Sequence, residues 1–108
     1  MTDKIVVLTT CDSEEQAARI ARRLVEQRLA ACVNIVPRTT SVYRWKDNIE
    51  STEEWLLIVK SRRQLFPLLR AEIEIIHGYE VPELIALPII DGAEAYLNWM
   101  DDELKAAE

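Results

Sequence analysis

The sequence predicts an α+β domain whose elements run β-α-β-β-α-β, with a terminal helix after them. Three observations carry this. Aliphatic and β-branched runs at Ile5-Val6-Val7-Leu8 and Leu84 to Ile90 are too apolar for strands with one wet face. Two stretches with apolar residues at helical spacing lie between them. Between those stretches, two long alternating segments meet at Lys46-Asp47-Asn48 and read as a hairpin.

Composition sets the outer limits. At 108 residues and 49% hydrophobic, the chain suffices for one domain, 1–108, with a single core. Acids outnumber bases 19 to 13, for a net charge of −6. That balance argues against nucleic acid, whose binding rests on a basic surface, and leaves metal cations or basic partners open. With 2 glycines no glycine-rich phosphate loop can be built. Cys11 and Cys32 are not spaced as C-x-x-C and read as reduced thiols of a cytoplasmic protein. No charged-then-apolar leader opens the chain, and no apolar run approaches the ~20 residues of a bilayer span. A soluble protein without a membrane partner is expected.

The first strand, from Ile5, ends in Thr9-Thr10-Cys11-Asp12-Ser13. Ser13 with Gln16, or Asp12 with Glu15, forms a capping box that starts a helix. Its buried face is Ala17, Ile20, Ala21, Leu24 and Val25. Leu29 to Val36 turns extended, Pro37 interrupts it at an edge or bulge, and Ser41 to Trp45 resumes. After the turn, Ile49 to Lys60 returns with Trp55, Leu57 and Val59 on one face and Leu56 and Ile58 on the other. Ser61 and Gln64 suggest a second cap, with Pro67 tolerated in the first turn. Leu65, Leu68, Leu69, Ile73 and Ile76 form that helix's apolar stripe, and Gly78 is placed to end it in the left-handed conformation. The run Leu84 to Ile90, bracketed by Pro82 and Pro88, reads as a strand in the middle of the sheet. Asp91-Gly92 is a turn, and Ala95 to Leu104 a short helix packed by Trp99.

This order gives a split βαβ sheet, the ferredoxin-like arrangement, with both main helices on one face. The other face then needs cover, and so does the hairpin end with Tyr43, Trp45 and Ile49. A closed assembly such as a homotrimer supplies both.

Four stretches in register, Leu29-Ala30-Ala31-Cys32-Val33-Asn34, Thr40 to Trp45, His77 to Glu83 and Ala95 to Trp99, strongly resemble the CutA family of divalent-cation tolerance proteins. The resemblance covers about Ile5 to Leu104. It implies a homotrimer of ferredoxin-like subunits, similar to the PII signalling proteins, that is cytoplasmic and binds copper and other divalent cations. The copper site it implies maps onto Thr9, His77 and Glu83. Where some members carry a cysteine this chain has Thr9, and Gly78 stands where Pro is common. Alternation in an extended strand puts Cys11 on the same side as Thr9. His77, Glu83 and Cys11 are therefore the candidate ligands for copper or another divalent cation, weakly bound.

The residues themselves leave alternatives open. His77 is an imidazole suited to copper or zinc, or a helix-terminal histidine bonded to the last carbonyls. Glu80 and Glu83 are salt-bridge partners for Lys60 or Arg44, or ligands for a hard cation. Tyr43, Trp45, Lys60, Tyr79 and Glu80 are the candidate lining of a cleft between subunits, or interface anchors. A regulator binding a small ligand in that cleft is the competing reading. Catalysis is not expected, since no nucleophile stands beside the paired acids. An acylphosphatase would need an arginine after the first strand, where Thr9-Thr10-Cys11-Asp12 stands.

Overall fold

The computed structural model describes residues 2–106. Strand β1 (Lys4–Cys11) is rich in β-branched residues and lies between two neighbours. It leads into helix α1 (Glu14–Glu26) through Ser13, whose extended backbone and Oγ cap the Gln16 N–H at 3.1 Å. Glu14 and Glu15 complement the positive end of the helix dipole. The capping box is only half made, because the Gln16 side chain donates instead to the Ile76 carbonyl, 2.7 Å away. That bond ties the start of α1 to the end of the second helix.

Past its cap Gln27, helix α1 is closed off by Arg28, which takes a left-handed φ of 59°. The Leu29 N–H reaches back to the Leu24 carbonyl (2.9 Å) and the Arg28 N–H to Val25 (3.0 Å), the paired bonds of a Schellman motif. Ala30 N–H is also spent on Leu24. Strand β2 therefore begins at Cys32, later than the expected Leu29, and runs to Trp45. Pro37 does not break it. Val36 pairs with Leu56 and Thr39 with Glu54, so Pro37 and Arg38 together oppose Trp55. This is a bulge, with Arg38 at φ 58°. Lys46 and Asp47, at φ 50° and 70°, form a two-residue turn with both centres left-handed. Strand β3 (Asn48–Arg62) returns from it. At ~3.3 Å per residue this hairpin accounts for the 44 Å long axis of the chain.

Ser61 does not cap the next helix. It is buried in β3 and donates to the Leu29 carbonyl at 2.7 Å. A 3-10 turn, Arg63–Leu65, leads into helix α2 (Phe66–Ile76) without a side-chain cap, and Pro67 sits in its first turn as expected. Gly78 does not end α2 in the left-handed region either, since no glycine has positive φ among the described residues. His77 is the cap, with extended backbone.

The sheet order is β2-β3-β1-β4, and every neighbouring pair is antiparallel. Ala17, Ile20 and Leu24 of α1 and Leu69 and Ile73 of α2 pack on Ile5, Val7, Leu57 and Val59. Each such fully buried aliphatic side chain contributes about 1.5–3 kcal/mol of transfer free energy. The opposite face carries Val6, Leu8, Leu56 and Ile58, all incompletely buried. β4 (Ile85–Pro88) pairs only with β1. It is an edge strand with all four residues exposed, not the buried central strand expected. The apolar run is real, but of it only Leu84 packs against the core. Helix α3 (Glu94–Glu103) is held by Met100, Leu104 and Leu97 rather than by Trp99, which is 41% exposed. The buried Lys4 ammonium binds Asp3 at 2.5 Å and Asp101 at 2.8 Å, and Arg62 also reaches Asp101 at 3.3 Å. These pairs pin α3 to β1 and β3.

Candidate functional site

The segment 77–83 leaves α2 and passes the end of β1, facing the middle of the hairpin. His77 fixes its start. Its Nδ1 accepts the Tyr79 N–H at 3.1 Å, which makes Nε2 the protonated nitrogen, donating to the Thr10 carbonyl at 2.6 Å. The partner is thus a β1 carbonyl, not the last turn of α2. Past the Leu8–Ile85 pair β1 has no β4 neighbour, and the imidazole takes that place. The His77 and Tyr79 rings pack at a 53° tilt with centroids 4.8 Å apart.

Tyr79 in turn donates its hydroxyl to Glu54 Oε2 at 2.5 Å. Burial, followed by the hydrogen bond and charge of Glu54, pushes the phenol well above its ordinary pKa, so Tyr79 is a donor at any working pH. A cleft of about 660 Å³ opens between this segment and the hairpin. Tyr43, Trp45, Tyr79 and Glu80 line it, together with Glu83, Glu54 and Thr10. Lys60 does not. It lies six positions along β3 from Glu54, about 20 Å at a strand's rise, and its ammonium sits 5.7 Å over the Tyr96 ring.

The candidate metal ligands fall in three different settings. β1 stays extended through Cys11, so Thr9 and Cys11 do share a side, and it is the core side. Cys11 is fully buried, with Sγ 3.7 Å from the Ser13 carbonyl and 3.9 Å from that of Trp55. Burial pushes its thiol up to about 11, against a smaller lowering by a Ser13 backbone hydrogen bond, and the raised value opposes the thiolate a soft metal needs. Both nitrogens of His77 are spent. Glu83 is exposed at the cleft. Among the described residues no group of three or more His, Cys, Asp or Glu side chains is placed to hold a metal ion. This donor set does not fit a copper centre built from His77, Cys11 and Glu83.

Glu54 is the residue the sequence reading missed. It sits on the strand face opposite Trp55 and Leu57, and its partner Tyr79 is 25 positions away. Only the alternation of β3, which aims Glu54 away from the core side, hinted at it.

A family model described as CutA1 divalent ion tolerance protein matches residues 5–103. The chain belongs to that family. It is 52% identical over 95 residues to the divalent-cation tolerance protein CutA of Thermus thermophilus, covering 88% of this chain and 92% of the relative. It is 47% identical over 91 residues to protein CutA of Mus musculus, which covers 84% of this chain but 51% of the mouse protein. Among solved structures, the Thermus thermophilus divalent cation tolerance protein superimposes with a TM-score of 0.92 at 48% identity, covering 94% of this chain and 99% of the other. CutA1 from Oryza sativa gives 0.94 at 40% identity, with 96% and 95% covered.

Proposed function

We propose that this CutA chain works as a non-catalytic divalent-cation tolerance protein, assembled as a homotrimer of ferredoxin-like subunits similar to the PII proteins. In this reading copper and other divalent cations bind weakly, to the exposed carboxylates Glu80 and Glu83, not to a cage around His77. The observation that carries the assembly is apolar surface the subunit leaves open. Ile85 and Leu87 on the β4 edge are 51% and 46% exposed, and Val42 and Ile49 on the hairpin 68% and 70%. Patches of this extent on a soluble chain are covered by partners, and the two free sheet edges invite pairing between copies. The unpaired cysteines Cys11 and Cys32 support a reducing, cytoplasmic setting. Among the described residues no helix is long and apolar enough to cross a membrane.

A copper(II) titration of the assembled protein tests the cation half, with zinc as second metal and His77→Ala and Glu83→Gln alongside. Dissociation constants on the order of 10⁻⁴ M or weaker, unchanged by His77→Ala and raised by Glu83→Gln, are expected. One tight ion per chain that disappears with His77 overturns it.

A further inference from the structure

We propose that the cleft between the hairpin and segment 77–83 binds a small organic cation, an ammonium group carrying apolar substituents. The inference stands independently of where metal ions bind. Its anchor is Glu54, a carboxylate only 5% exposed that lines the cleft. Among the described residues it takes part in no ion pair, and its one hydrogen-bond donor is the neutral Tyr79 hydroxyl on Oε2. A buried carboxylate half satisfied by a neutral donor retains most of its charge and its desolvation cost. A cation entering the cleft meets the second oxygen, Oε1.

The walls suit a cation with an apolar body. Tyr43, Trp45 and Tyr79 present aromatic rings, whose faces attract cations electrostatically. Trp45 already serves as such a platform, with the Lys46 ammonium 5.8 Å from its ring centre. Glu80 and Glu83 add negative charge at the exposed rim, which draws cations in and repels anionic metabolites. The volume of about 660 Å³ lies within the ~300–1,000 Å³ usual for small-molecule sites. A bare divalent ion fits the interior poorly, because it needs several converging ligands and among the described residues no three His, Cys, Asp or Glu side chains are placed to hold one.

The test is a calorimetric titration of the assembled protein with choline and with its neutral carbon isostere, 3,3-dimethyl-1-butanol. Choline should bind saturably, one per chain, and the isostere at least about tenfold more weakly. Glu54→Gln, which keeps an acceptor for Tyr79, should weaken choline at least about tenfold. Trp45→Leu, in variants that sediment at the same mass as the parent, should weaken it severalfold. Equal binding of choline and the isostere overturns the proposal, as does choline binding indifferent to both substitutions. So does a lack of saturation, or magnesium ion binding at Glu54 while choline is inert.

Discussion

Replacing His77 with Ala removes an imidazole that serves two backbone groups at once. The Thr10 carbonyl, in a residue 7% exposed, loses the Nε2–H donor at 2.6 Å. Leaving such a buried acceptor unpaired costs about 1–3 kcal/mol. The Tyr79 amide loses Nδ1 at 3.1 Å, worth about 1 kcal/mol where water partly replaces it. The Tyr79 ring loses a tilted partner at 4.8 Å, about another 0.5 kcal/mol. The total is a destabilisation of about 2.5–4.5 kcal/mol, with Tyr79 released from Glu54. Urea unfolding reads the first effect, at fixed chain concentration because any self-association would shift the midpoint. Amide exchange at Tyr79 reads the second. A loss under ~0.5 kcal/mol, combined with a tenfold loss of copper affinity, would refute the reasoning and restore His77 as a ligand.

Three further outcomes follow from the same geometry. Gly78 has no positive φ, and a Cβ there meets nothing within 4 Å, so Gly78→Ala should stabilise by about 0.4–1 kcal/mol; a lower unfolding midpoint would contradict this. Cys11, buried with its thiol pushed to about 11, should resist alkylation at pH 8 while partly exposed Cys32 reacts, and equal labelling rates would count against that assignment. Lys4 binding, then burial in the opposite sense and the charge of Arg62, leave the Asp101 carboxyl below its ordinary range. Burial lowers the Lys4 ammonium, but the hydrogen bonds it donates to Asp101 and Asp3 outweigh that and leave the group raised above 10.5. The Asp101 contribution is therefore present above its unfolded pKa, ~3.9, and lost as pH falls through the lowered value. The Lys4 contribution is present below 10.5 and lost as pH rises through the raised one. Thermal unfolding against pH should show both limbs, and Asp101→Asn should flatten the acid one; an unchanged acid limb rules out the pinning of α3 by this pair.

Periodicity made the sheet's two main strands and both long helices legible, because Leu57 and Val59 or Ile20 and Leu24 repeat at the spacing of their element. Ser13 declared the start of α1 for the same local reason. What failed was non-local. Nothing near Ser61 reveals that its hydroxyl is needed by Leu29, 32 positions back. The run Ile85 to Ile90 is as apolar as a central strand, and a sequence cannot distinguish burial by its own chain from burial by another. At the site, Tyr43, Trp45, Tyr79 and Glu80 were readable as polar or aromatic residues on exposed segments, and they do meet. Lys60 shares their chemistry but lies too far along β3. Glu54 was hidden because its role depends on Tyr79, which only the folded chain brings to it.

The central claim is that the open apolar surface of this subunit is covered by copies of itself. Sedimentation equilibrium at micromolar chain concentration tests it most directly. A single species of three times the 12.5 kDa chain mass is expected. A stable species at the mass of one chain, with Ile85, Leu87 and Ile49 left in water, would contradict it.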